Sequence, residues 1–147
     1  MTSPIKFAVA TTQSDFARCV YLRALVFGAG QNVHINEDID DLEADCRHIL
    51  GMDGDIPCAT ARWRIKENTI AKIERVAVHT SAQGKGVGAK LMQAVIADIA
   101  QYAPQCKTLM LGAQDYVIPF YERLGFTVIG DGYMDANIPH HNMTRAA

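Results

Sequence analysis

The chain has 147 residues and a formal net charge of −2, with 49% of its residues hydrophobic and 20% charged. That length favours one domain, 1–147, and the apolar share is enough for a proper core, which excludes a disordered chain. The near-neutral charge argues against a large nucleic-acid footprint and leaves room for a small anionic ligand at a local site.

The opening stretch MTSPIKFAVATTQ lacks the basic, apolar, small-residue order of a signal sequence, and no apolar run approaches a membrane span; a cytoplasmic protein is expected. PIKFAVA (4–10) reads as a strand, and TTQSDFARCVYLRALVF (11–27) as a helix. Thr12 and Asp15 have capping-box spacing, and Phe16, Cys19, Val20, Arg23 and Phe27 share a face. The polar, acidic stretch 28–45 is poorly periodic and reads as a loop with one short helical turn. Residues 46–78 read as three strands joined by hairpins, with MDGD (52–55) and KENT (66–69) as the turns. A helix over about 86–102 shows an apolar face of Leu91, Met92, Val95, Ile96 and Ile99. KTLMLGA (107–113) is a buried strand, DYVIPFYERLG (115–125) a short helix with a glycine C-cap, and two strands finish the chain. The order is that of a mixed α+β sheet, with antiparallel hairpins followed by one βαβ crossover. The four cysteines, Cys19, Cys46, Cys58 and Cys106, have no C-x-x-C spacing, so buried reduced thiols are expected rather than a zinc site or disulfides.

The segment TSAQGKGVGAKL (80–91) places three glycines at the mouth of a helix. The first turn of a helix leaves backbone N–H groups without partners at the positive end of the macrodipole, which suits an anion. Gly84, Gly86 and Gly88 fit a phosphate cradle, with Lys85 as a nearby charge; a plain glycine-rich turn is the other reading. The P-loop pattern fails, because Ala89 separates Gly88 from Lys90 and no Ser or Thr follows. Gly84, Gly86 and Ala89 nominally meet the dinucleotide fingerprint, but HTSAQ intervenes after the strand and the preceding strands are hairpins.

IERVAVHTSAQGKGVGAKLM resembles the acyl-CoA-binding motif of the GNAT superfamily of N-acetyltransferases, [RQ]-x-x-G-x-[GA], with Gln83, Gly86 and Gly88 at its fixed positions. LGAQDYVIPFYERLGFTVIG resembles that family's second signature. RALVF…DIDDLEADCRHIL and DANIPHHNM further resemble its ElaA-like branch. The resemblance implies the GNAT acyl-CoA N-acyltransferase fold, with a mostly antiparallel sheet flanked by helices and splayed between strands 4 and 5. No metal is expected, because the scattered histidines show no H-x-x-x-H or His/Cys spacing. The resemblance also implies acetyl-CoA as co-substrate. Its pantetheine arm would bond along the backbone of Val76, Ala77 and Val78, with the pyrophosphate on the amides of Gln83, Gly84, Lys85, Gly86, Val87, Gly88 and Ala89. Gln114 stands where the family more often has Asn, and Tyr121 falls beside the sulfur.

Acetyl transfer needs a donor for the oxygen that gains charge, an acid near sulfur and a base for the amine. The resemblance implies Tyr121 as the acid, with core packing its other reading, and the Val78 amide or its neighbour as the donor. Glu74, on a strand face shared with Lys72 and Val76, is the candidate base, acting directly or through water, with surface pairing to Arg75 or Lys72 as its alternative. Asp41 in the acidic stretch, His48 and His140 are the candidate acceptor-binding residues; a solvated acidic loop and hydrogen-bonded histidines are the alternatives. The implied activity is transfer of an acetyl group to a primary amine of a small molecule or peptide. A non-catalytic acyl-CoA sensor is the second reading, and an interaction protein with a relic pocket the third. Neither nucleic acid nor membrane is an expected partner, and a homodimer stays open.

Overall fold

The computed structural model describes residues 4–147. Met1–Ser3, part of the stretch read for targeting, lie outside the described residues. The chain runs β1 (Lys6–Val9), α1 (Gln13–Arg23), α2 (Ile35–Asp38), β2 (Arg47–Asp53), β3 (Ile56–Lys66), β4 (Ile70–Val78), α3 (Val87–Tyr102), β5 (Thr108–Gln114), α4 (Ile118–Arg123), β6 (Thr127–Asp135) and β7 (Ile138–Ala146). The strands form one seven-stranded sheet in the order β1-β2-β3-β4-β5-β7-β6. All neighbours are antiparallel except β4 and β5. This is the mixed α+β arrangement that the order of elements in the sequence predicts.

Local chemistry sets most of these boundaries. The Thr12 side chain accepts from the Asp15 amide at 3.0 Å and starts α1. The hairpin between β6 and β7 turns on Ala136 and Asn137, both at positive φ, which matches the twist of the flanking strands. Helix α4 carries Pro119 in its first turn, where its missing N–H costs nothing. It ends with Gly125 N–H bonding Glu122 O and Phe126 N–H bonding Tyr121 O, a Schellman closure.

Two stretches differ from the sequence reading. Helix α1 ends at Arg23 and continues to Ala29 as a π-helix, so the single predicted helix over 11–27 is two windings. The predicted loop 28–45 contains the last turn of that winding, α2 and a 3₁₀ turn at Glu43–Asp45. It is clamped by ions rather than left to solvent. Arg23, 1% exposed, pairs with Asp38 and Glu43. Arg62, fully buried, pairs with Asp40, Glu43 and Glu74, and Arg75 pairs with Asp38 and Asp40.

The core lies between the sheet and α3, where Leu91, Met92, Val95 and Ile99 meet Trp63, Ile73, Leu109 and Leu111. Asp98 of α3 accepts from Trp63 Nε1 at 2.8 Å and from Arg47, so the indole's polar edge is satisfied inside the core. Helix α1 covers the opposite face, with Cys19, Leu22 and Leu50 as a smaller apolar cluster. All four cysteines are free thiols; Cys19, Cys58 and Cys106 are buried. Among the described residues no helix is long and apolar enough to cross a membrane.

Candidate active site

Strand β4 builds the site by parting from β5. The two pair only from Ile70 to Ile73, against Thr108 to Leu111. Just beyond, Arg75 adopts φ +56, and between Glu74 and Ala77 β4 carries one residue more than β3 matches between Thr60 and Arg62. Such a bulge bends and twists its strand. From Glu74 to Val78, β4 has no strand partner on its β5 side, while Gly112, Ala113 and Gln114 pair only with β7.

A cavity of about 650 Å³ occupies this split. One end is the glycine loop and the start of α3, the middle is walled by Phe120 and Tyr121, and the other end by Phe27, Gln31, Glu37, Tyr133 and His140. The three loop glycines have different reasons to be bare. Gly84 and Gly86 have φ +75 and +76, a region side chains rarely enter, and a Cβ on either would meet no protein atom within 4 Å. Gly88 is a packing glycine, since a Cβ there would press on the Phe120 ring at 3.2 Å. The first intrahelical bond of α3 runs from Lys90 N–H to Gly86 O, so the amides of Val87, Gly88 and Ala89 have no helix partner. The Gln83 side chain donates to Val78 O at 3.0 Å and pins the loop to the end of β4.

Of the residues predicted from sequence, Glu74, Val76, Val78, Gln83, Gly84, Gly86, Val87, Gly88, Ala89, Gln114, Tyr121 and His140 all line this one cavity. Ala77 faces the core and is 1% exposed, leaving only its backbone to the strand edge. Lys85 is exposed and off the wall. Asp41 and His48 are not brought to the cavity. His48 is buried on β2, edge-on to Phe16, with Nε2 3.1 Å from the Glu43 carbonyl. That packing gives it a structural place rather than the acceptor-side place expected of it.

Glu74 reaches the wall in a different state from that expected of a base. Burial works against its charge, but Arg62, Lys72 and Arg64 outweigh burial and hold its carboxyl below the ordinary value. Arg64 Nε donates to it at 3.0 Å. The bulge also breaks the simple alternation of Lys72, Glu74 and Val76, because Arg75 too lines the cavity. Burial raises the Tyr121 phenol well above its ordinary value, so it is protonated throughout the neutral range.

Gln114 does not stand free. Its side-chain amide is paired reciprocally with that of Gln31, at 3.0 and 2.7 Å, and Gln31 also donates to the Tyr116 hydroxyl at 3.2 Å. This bridge ties the segment after α1 to the end of β5 across the cavity. Gln31, Glu37 and Tyr133 are wall residues that the sequence reading missed; only the register of β6 on β7 and the docking of 24–40 bring them there.

The residues fit an acyl-coenzyme A: free amides and open left-handed glycines at one end, an unpaired strand edge along one side, and a split deep enough for a thioester. Among the described residues no group of three or more His, Cys, Asp or Glu is placed to hold a metal ion. Comparison with known proteins agrees with the geometry. Residues 32–147 match the acetyltransferase (GNAT) domain family. The chain is 34% identical over 142 residues to the uncharacterized N-acetyltransferase YjcF of Bacillus subtilis, covering 96% of this chain and 99% of that one. It is 35% identical over 135 residues to ElaA of Escherichia coli, covering 90% and 88%. The crystal structure of Escherichia coli ElaA superposes with a TM-score of 0.85 over 97% of this chain and 99% of that one. A GNAT family acetyltransferase from Elizabethkingia anophelis, solved with acetyl-CoA bound, shares the fold at 15% identity, with a TM-score of 0.77 over 97% and 98% of the two chains. With a split sheet, a bare helix mouth and relatives aligned over nearly its full length, the chain belongs to the GNAT family of acetyltransferases.

Proposed function

We propose that the chain is a single catalytic domain that transfers the acetyl group of acetyl-CoA to a primary amine of a small molecule or peptide, by direct attack on the thioester. The observation that carries this reading is the continuous cavity, which joins the open amides at the start of α3 to a polar chamber on the α1 side of the sheet. In this reading the amides from Gln83 to Ala89 hold the pyrophosphate, where the helix dipole favours negative charge. The backbone of Val76, Ala77 and Val78 lends its unpaired edge to the pantetheine arm, as a sheet edge does to an added strand. Bound acetyl-CoA supplies an acyl group already activated as a thioester.

The protein's own groups then have distinct tasks. Tyr121 keeps its phenolic proton in the buried middle of the cavity and delivers it to the departing sulfur. The desolvation that raises the phenol also raises the proton affinity of a thiolate beside it, so the transfer is not defeated by burial. Glu74 stays ionised among Arg62, Arg64 and Lys72, which weakens it as a proton acceptor and leaves it to fix the charge pattern of the wall. The Gln31–Gln114 bridge closes the roof, and much of the rate comes from holding the amine against the carbonyl carbon.

The test is calorimetric titration with acetyl-CoA, followed by a thiol-release assay with ethylenediamine, spermidine, tyramine and a lysine-containing peptide. Binding with amine-dependent thiol release is the expected result. Binding without release on any amine supports an acyl-CoA sensor, and absence of binding defeats the site assignment.

A further inference from the structure

We propose that His140 is the group that takes the proton from the acceptor's ammonium, a role that rests on the transferase reading above. His140 sits on β7, 9% exposed, and is the histidine that lines the cavity. Its Nδ1 lies 2.7 Å from the carbonyl oxygen of Ile138. A carbonyl only accepts, so Nδ1 carries the hydrogen. In a neutral imidazole the lone pair then belongs to Nε2. Nε2 has no hydrogen-bond partner among the described residues, yet it is not one of the sealed, unpaired buried atoms. Its remaining outlet is the cavity.

The ring is also held from its face. Tyr133 stacks on it, with centroids 5.7 Å apart and planes 19° from parallel. Tyr133 is itself fixed, since its hydroxyl donates to Asn142 Oδ1 at 2.7 Å and occupies the space above Gly112, where any Cβ would collide with it. In the sheet, His140 lies opposite Gln114 on one side and Tyr133 on the other, which puts it on the β5 bank of the split, across from Glu74 on β4. A fixed tautomer and a fixed plane are the second-sphere features that orient a catalytic imidazole.

The other titratable wall groups are less suited. Glu74 is committed to three cations, Asp38 to Arg23 and Arg75, and Lys72 to Glu74. Glu37 and Asp135 are exposed at the mouth, and Tyr121 and Tyr133 are phenols that hold their protons. His141 faces Asp115 at 2.7 Å, off the wall.

The ammonium R–NH₃⁺ gives one proton to Nε2, which passes it to solvent. The freed nitrogen lone pair forms the C–N bond, and the C–S pair leaves with sulfur. Sulfur takes the phenolic proton of Tyr121, and the second proton lost by nitrogen restores the phenol. The products are the amide, the free thiol and one proton.

The experiment compares His140→Ala and His140→Asn with the wild type, using the fastest amine of the panel and hydroxylamine. Hydroxylamine is already a neutral nucleophile at neutral pH and needs no proton removed before attack. The expected result is a kcat for the alkylamine lower by about 10²- to 10⁴-fold, the range of general acid–base catalysis. The KM for acetyl-CoA should stay unmoved, hydroxylamine transfer should fall far less, and added imidazole should restore part of the His140→Ala rate. His140→Asn keeps an N–H for the Ile138 carbonyl and serves if the alanine variant does not fold. An unchanged alkylamine kcat, or an equal loss with both nucleophiles, overturns the role of His140 and leaves the transferase reading standing. A wild-type protein silent with every nucleophile overturns the transferase reading, and this inference with it.

Discussion

At the scale of single residues, the proposed acid Tyr121 stands at a junction of core and cavity. Its ring is packed edge-on to Phe120 and Phe126, with centroids 5.0 and 6.0 Å away, so the aromatic body belongs to the core while the residue also lines the cavity. Tyr121→Phe keeps the packing and removes only the proposed proton donor. Its kcat is expected to fall by at most about 10⁴-fold, with acetyl-CoA affinity and melting temperature nearly unchanged. Thiol release and calorimetry on the same sample decide it, and undiminished turnover would remove Tyr121 as the acid. The short helix was legible from its own start and stop signals, whereas the place of Tyr121 in the cavity was expected only through the resemblance. Tyr133 was not, since an exposed tyrosine on an edge strand carries no mark of the Gly112 hollow it fills two strands away.

At the scale of elements, the start of α3 is the part most dependent on a single residue. Gly86 caps the helix in the left-handed region with open space where a Cβ would stand. Gly86→Asp therefore costs little packing. It places a carboxylate on the proposed phosphate seat and strains φ by about 1 kcal/mol. Acetyl-CoA affinity should fall about tenfold or more, as one repelled charge near a helix terminus and the loss of a phosphate contact each reach the kcal/mol scale. Titration calorimetry that finds unchanged affinity would refute the loop assignment. This element was readable in sequence because its glycines and its apolar periodicity are both local. The winding of 24–29 and the docking of 30–45 were not, because they depend on Arg23, Arg62 and Arg75 reaching acids far away in the chain, and no periodicity encodes such pairs. The same web explains why the acidic run, readable as a lure for amines, serves mainly to lock the π-helical segment onto the sheet.

At the scale of the whole molecule, that web predicts how the fold responds to acid. Hydrogen bonds from Arg62 hold Asp40 at about 2, below its reference value of 3.8. Glu43 is also held at about 2, below 4.5, by Arg23 and Arg62 against its own burial. Carboxyls with depressed folded values stabilise the fold above their unfolded values, and that contribution is lost as pH falls toward the folded ones. The melting temperature is expected to slip below about pH 6.5, where buried His48 resists taking up a proton, and to drop more steeply below about pH 4.5, the second loss being smaller at high salt because Asp40 is partly exposed. A melting temperature that stays flat to about pH 3 would show that these pairs contribute nothing net. The order of strands and helices was legible from hairpin turns and one crossover. The split was foreseen only through resemblance, because nothing in the residues of β4 announces a left-handed arginine.

That arginine has an arithmetical consequence. Along most of their length β3 and β4 match residue for residue, and at Arg75 β4 has a surplus of one. Delete a single residue there, and the outer half of β4 keeps its partners, Ala77 opposite Thr60 and Val78 opposite Ala59, but loses the bend that carries it away from β5. The helices, the glycines and the acidic clamp would keep their composition, yet the split would lose the bulge that opens it. The cavity is, in this sense, the remainder left when two adjacent strands of unequal count are laid side by side.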